Sequence, residues 1–360
     1  MTFSDYDPLK KKVFQILDPE GVVVNPKEEP KIPKETLLKM YETMTLGRLA
    51  DIKAIQFQRQ GRLLTYAPNI GQEAAQIGPM AATTKQDWLV LAFREFNAML
   101  YKGVTLEQYF LYWYGNEAGS HFDDDVKVLP VNVPIGSQIS HAAGIAYAAK
   151  IQKKDEVVIA YIGDGGTSHG EFHEGLNFGS VLNVPMIVII QNNQWAISTP
   201  RAKATKAETL AQKAIGYGIP GIQVDGNDVL AMYVATLEAI KWIKAGKGPV
   251  LIEAITYRIG PHTTSDNPKI YRTDEEVALW ETKDPLKRFK QYLLEKKIIT
   301  EASDEALNKT YNQLILDTFK KVESSGLVPL EDIFNYTYEH LTPQLKAQYE
   351  QLKQESEDNL

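Results

Sequence analysis

The 360-residue chain contains no cysteine. Disulfides, cysteine-ligated zinc, iron–sulfur clusters and thiol nucleophiles are thereby excluded, and a reducing compartment is the natural setting. It has no apolar run near the roughly 18 residues of a membrane span. It also lacks a basic excess: 39 Lys and Arg face 46 Asp and Glu, giving a net charge of −7, which argues against a nucleic-acid partner. The first residues, Met1 to Lys12, have no apolar signal core, and no arginine precedes Arg48. Secretory and mitochondrial leaders are therefore not expected, and a cytoplasmic location is. Neither repeats nor low-complexity segments occur.

What is present is an alternation of strand-like and helix-like segments. A short amphipathic stretch covers 9–17, a strand-like run covers Val22 to Val24, and a Pro- and charge-rich connector covers 25–33. Helical spacing then runs over 34–62, with Pro33 suited to the start. A short strand is expected within 87–93 and an alanine-rich helix over 138–150. The runs 156–162 (EVVIAYI), 184–190 (VPMIVII) and 249–257 (PVLIEAITY) are continuously apolar. Such runs are what parallel strands covered on both faces require. Helices over 170–182 and 229–245 and a strand at 222–225 complete the pattern. The fold class is α/β, a parallel sheet flanked by helices, with a charged helical region towards the C-terminus. The expected division is an N-terminal extension and linker (1–33), an α/β domain (34–275) and a helical region (276–360).

In open parallel sheets, ligands bind beyond the carboxyl ends of the strands. Polar residues follow each apolar run here: Gly163-Asp164-Gly165-Gly166, Gln191-Asn192-Asn193, and Arg258 to Thr263 including His262. Phe93-Arg94 ends the earlier strand. Asn193 lies 29 positions after Asp164 (193 − 164), the length of one βαβ unit, so their side chains are expected side by side. A carboxylate with a carboxamide, and no His or Cys in the pair, suits Mg²⁺ or Ca²⁺ completed by phosphate oxygens. Arg94 and His262 are suited to the phosphates, and the glycines permit close backbone approach. The ligand expected is a metal-bound diphosphate. No phosphate-binding loop of the ATPase type is present, and 163–168 fails the dinucleotide fingerprint at Ser168. Gly166-Thr167-Ser168-His169-Gly170 matches a hydrolase nucleophile elbow, with Asp225 and His262 in suitable order. Ser168, however, stands several residues beyond its strand.

GDG, one βαβ unit and NN together resemble the signature of thiamine-diphosphate enzymes. Over about residues 30–350 the chain resembles alpha subunits of 2-oxo acid dehydrogenases, on Gly71-Gln72-Glu73-Ala74, GDGGTSHGEFHEGLN (163–177), QNNQWAISTP (191–200), Val224-Asp225-Gly226 and YRIGPHTTSDNPKIYR (257–272). The resemblance implies a thiamine-diphosphate-binding fold with Asp164, Asn193 and the main-chain carbonyl of Trp195 on Mg²⁺. The backbone of Gly165 and Gly166, with Arg94 and His262, would hold the diphosphate. Ile135 would meet the aminopyrimidine ring, and Phe93 stands where many relatives carry a tyrosine. His262 is the candidate for a catalytic role beyond phosphate binding. The implied activity is decarboxylation of pyruvate and reductive acetylation of the lipoyl group of an acyltransferase core. A separate beta subunit in an α2β2 heterotetramer is the implied partner. Branched-chain 2-oxo acid or acetoin dehydrogenase, or an inactive scaffold of the same fold, are the alternatives. Residues near Tyr66 and Gln72 are expected to bear on substrate choice. His169 is placed at the site mouth, His173 in helix packing, and His141 and His340 in structural roles; His121 is given no role.

Overall fold

The computed structural model describes residues 2–326 and 328–358. Six parallel strands form the central sheet: β1 (Val13–Phe14), β2 (Trp88–Val90), β3 (Val158–Gly163), β4 (Met186–Asn192), β7 (Gly221–Asp225) and β8 (Val250–Ile255), in the spatial order β1-β7-β8-β4-β3-β2. Between β4 and β7, β5 (Trp195–Ala196) and β6 (Thr199–Pro200) pair as a small antiparallel hairpin. Strand residues alternate between two cores. Ile159, Tyr161, Ile187 and Ile189 join one; Val158, Ala160, Ile162, Met186, Val188 and Ile190 join the other. Both faces are thus dry, which is why these strands read as unbroken apolar runs.

The first core is closed by the helices Lys34–Arg59, Glu73–Ala82 and Val229–Lys244, and the second by Ser137–Ile151 and Gly170–Val181. Helices Asp274–Glu281, Pro285–Glu295, Glu301–Ser324, Leu330–Asn335 and Pro343–Asp358 make up the C-terminal region. Phe14 from 1–33 and Phe289, Leu293 and Phe319 from 276–360 belong to the same apolar cluster as the middle segment.

The N-terminus departs from the expectation. Val22 to Val24 form no strand; Val23 makes only an isolated antiparallel bridge with Leu17. The sheet is instead extended by Val13–Phe14, in register with Gln223 and Val224. The cause lies far along the chain. Fully buried Asp228 accepts the Ile16 and Leu17 N–H groups through Oδ2, each at 2.6 Å, while its Oδ1 caps the next helix by accepting from Leu230 and Ala231.

Helix Glu73–Ala82 also went unforeseen. It is buried from Glu73 to Met80 and contains Pro79, a residue that reads as a helix breaker in sequence. Its anchor is a buried ion-pair triad. Arg48 Nε meets Glu73 Oε1 at 2.5 Å and Arg48 Nη1 meets Asp284 Oδ2 at 2.7 Å, joining three helices beneath the segment that carries Gln72.

Candidate active site

β8, β4, β3 and β2 are contiguous, so the residues that follow them share one edge of the sheet. Gly163 pairs with Gln191 in the β3–β4 register, which brings Asp164 level with the Asn192–Asn193 pair. A cavity of about 500 Å³ opens there. Phe93, Arg94, Ile135, Asp164, Gly165, Gly166, Asn193, Trp195 and His262 all line it, so the residues expected to hold a metal and a diphosphate are brought to a single place.

Asp164 caps a short 3₁₀ turn over Gly165–Ser168; its carbonyl accepts from Thr167 N–H at 3.2 Å and from Thr167 Oγ1 at 2.7 Å. Lys213 Nζ fixes the turn from outside by donating to the Thr167 carbonyl at 2.6 Å. The Asp164 carboxylate is buried, and its Oδ2 has no hydrogen-bond partner among the described residues. Burial raises its pKa to about 6, against the opposing main-chain N–H groups of Asp164 and Gly165 and the charge of Arg258. A buried anionic oxygen left without a donor is an unfinished coordination. Gly165 admits no side chain, because a Cβ there would lie 2.3 Å from that of Ala196.

Asn193 hangs between two neighbours. Its Nδ2 donates to Gln72 Oε1 at 2.9 Å, and its Oδ1 accepts from Trp195 N–H at 3.3 Å. The hairpin carrying Trp195 is conformationally tense. Gln194 (φ 74°) and Ile197 (φ 55°) both occupy the left-handed region, uncommon for any residue but glycine and more so for the β-branched Ile197. Arg258 holds the hairpin there, donating to the carbonyls of Trp195 at 3.1 Å and Ile197 at 2.8 Å.

Arg94 donates to the Pro68 carbonyl through Nη1 and to the His262 carbonyl at 2.7 Å through Nη2. Its Nη2 also lies 3.2 Å from His262 Nδ1, and Arg258 Nη1 lies 3.4 Å from the same nitrogen. Guanidinium groups only donate, so Nδ1 is the lone-pair nitrogen and the imidazole proton sits on Nε2. Burial first, then the two flanking guanidiniums, lower the His262 pKa to about 4. Arg94 itself is lowered to about 10, by burial and then by Arg258. Asp266 Oδ2 accepts the main-chain N–H of His262 at 2.8 Å, and the Tyr271 hydroxyl donates to Asp266 Oδ2 while accepting from Arg258 Nη2. Two desolvated cations crowd one end of the cavity, an arrangement that an anion relieves.

Some functional candidates were not evident from sequence. Arg258 stands in the sequence as one polar residue of the 257–272 segment, yet in the fold it links the hairpin to His262. Glu95 lines the cavity and bridges strand ends over Gly163, accepting from Ala92 N–H, Arg94 N–H and Gln191 Nε2; burial raises its pKa to about 7. Adjacency to Arg94 was its only signal.

Other expectations fare differently. Gln72 lines the cavity but Tyr66 does not; Tyr66 is fully buried, its hydroxyl donating to Asp51 at 2.5 Å. His169 does line the cavity. His173 contacts the Tyr217 hydroxyl. His141 and His340 are exposed and line no part of the cavity; His141 Nδ1 lies 3.2 Å from Asn132 Nδ2. His121 is exposed outside the cavity. The hydrolase elbow does not assemble: Ser168 Oγ donates to the Ala204 carbonyl, Asp225 is ion-paired with Arg288, and neither lines the cavity with His262.

A parallel sheet whose strand ends gather an orphan carboxylate, a fixed carboxamide and two buried guanidiniums defines an α/β protein with ligand-type groups collected at one edge of the sheet. The chain belongs to the dehydrogenase E1 component family, whose profile it matches over residues 41–331. It is 60% identical over 338 residues to the pyruvate dehydrogenase E1 component subunit alpha of Acholeplasma laidlawii, covering 93% of this chain and 98% of that protein. The proteins of the same name from Mycoplasma pneumoniae (41% over 354 residues, 97% and 99% covered) and Staphylococcus aureus (43% over 346 residues, 96% and 94% covered) are similar throughout.

Proposed function

We propose that the chain is the alpha subunit of a pyruvate dehydrogenase, acting with a beta subunit in an α2β2 assembly that passes acetyl groups to the lipoyl arm of an acyltransferase core. Family membership implies thiamine diphosphate, which supplies the electron sink for losing carbon dioxide from a 2-oxo acid. The observation that carries the reading is the orphan oxygen of Asp164, a residue that lines one cavity with Asn193, Arg94 and His262.

The residues present fit the group. Among the described residues no three His, Asp or Glu side chains cluster to cage a metal alone. Mg²⁺ is the cation suited to so sparse a donor set, since it keeps waters and phosphate oxygens. Asp164 and the Asn193 oxygen would hold it, and the Trp195 carbonyl has a second lone pair beyond the one Arg258 uses. Arg94 and the main-chain N–H groups of Gly165 and Gly166 would hold the diphosphate. Phe93 and Ile135 contribute apolar wall to the cavity. His262, neutral and protonated on Nε2, would be a hydrogen-bond donor that does not compete as a base. The site-bearing segment is 34–275, with 1–33 and 276–360 as its supports, and the reading places the protein in the cytoplasm. Among the described residues no helix is long and apolar enough to cross a membrane.

Co-expression with the beta subunit, followed by parallel assays on pyruvate and a branched 2-oxo acid, tests the reading. Pyruvate turnover is expected to dominate, and the chain alone is expected to be inactive. Preference for the branched acid, or turnover without the partner, would contradict it.

A further inference from the structure

A carboxamide that is to bind a cation must present its oxygen, and the two ends of an amide differ little in size. Neighbours therefore decide which end faces the ligand. At Asn193 the Trp195 main-chain N–H, which can only donate, lies 3.3 Å from Oδ1. Turning the amide over would set N–H against N–H. The same constraint passes outward: Nδ2 donates, so the Gln72 atom 2.9 Å from it is the oxygen Oε1. Gln72 is fully buried, lines the cavity, and has no partner for its Nε2 among the described residues. A side chain packed merely to satisfy itself would not leave a buried donor bare.

We propose that Gln72 is a positioning residue, locking the Asn193 amide with its oxygen towards the bound cation. The inference rests on the reading of the site given above and adds a residue to it. It acts through Asn193 and not on the substrate, so it predicts an effect on metal affinity that follows acceptor chemistry at position 72. Glu keeps an acceptor oxygen at the same reach. Met keeps the length and removes it. Asn keeps the amide but withdraws it by one methylene.

The test uses the chain co-purified with its beta subunit, saturating thiamine diphosphate, and Mn²⁺ as probe, with free Mn²⁺ read by electron paramagnetic resonance. Gln72→Met should weaken Mn²⁺ binding about 10- to 100-fold, the range for partners that orient metal ligands, in a protein that still shows a cooperative melting transition before metal is added. Gln72→Glu, which keeps the acceptor, should stay clear of that roughly tenfold loss. Should Gln72→Met fail to fold, Gln72→Asn carries the contrast and should also lose metal. Wild-type affinity in Gln72→Met or Gln72→Asn, or equal loss in Gln72→Glu, overturns the inference while leaving the site intact. Failure of the wild type itself to take up Mn²⁺ with thiamine diphosphate would remove the underlying reading as well.

Discussion

His262 should remain neutral through the whole range from pH 5 to 8, with its proton on Nε2. The two guanidiniums at 3.2 and 3.4 Å from Nδ1 can coexist there only with a lone pair between them. Displacement of the pKa from 6.5 to about 4 corresponds to roughly 3 kcal/mol against protonation, at about 1.4 kcal/mol per unit. The ring is partly exposed, so solvent screening brings the expected figure nearer 2 kcal/mol. The sign follows from linkage. The unfolded chain binds a proton near pH 6.5 that the native state refuses, so this contribution to stability is complete above pH 6.5 and drains away as pH falls towards 4. Histidine-selective ¹⁵N labelling is practical with only six histidines. His262→Asn assigns the signal, and the ¹⁵N shifts identify the tautomer. Titration near pH 6.5, or a proton on Nδ1, would refute the two-cation argument. Arg258→Met should move the midpoint upward.

Asp228→Ala should cost roughly 3–5 kcal/mol, combining a lost helix cap of about 1–2 kcal/mol with two buried N–H groups deprived of a charged acceptor. Chemical denaturation measures this, and a loss below about 1 kcal/mol would show that β1 is not pinned by that carboxylate. Gly165→Ala should lower thiamine-diphosphate affinity about tenfold or more, because its methyl overlaps Ala196 at 2.3 Å and overpacking typically costs about 1–3 kcal/mol. Adding Ala196→Gly should restore binding; calorimetry on the single and double variants decides it.

The parts of the fold legible in the sequence were those governed by local pattern. EVVIAYI and VPMIVII, covered on both faces, could not be read as anything but buried elements, and the interval between Asp164 and Asn193 fixed their strand ends as neighbours. Where a distant group decides, the pattern is silent. Val13–Phe14 is a strand because Asp228, more than two hundred positions away, takes the N–H groups that follow it. Val22 to Val24 are apolar, yet find only a bridge. Glu73–Ala82 is short and carries Pro79 inside it, which in sequence argues against a helix. In the site, direct ligand types at strand ends were visible, whereas Arg258 and Glu95 act on other residues through geometry that spacing does not encode. Tyr66 has the look of a pocket residue, but its hydroxyl is spent on buried Asp51 and on Tyr109.

The most direct measurement is calorimetric titration of thiamine diphosphate with Mg²⁺ into the chain assembled with its beta subunit, comparing wild type with Asp164→Ala. Wild type should bind with a heat that vanishes when the metal is chelated, and the variant should show no binding. Equal affinity in the two proteins would mean that the carboxylate at the end of β3 holds no cation.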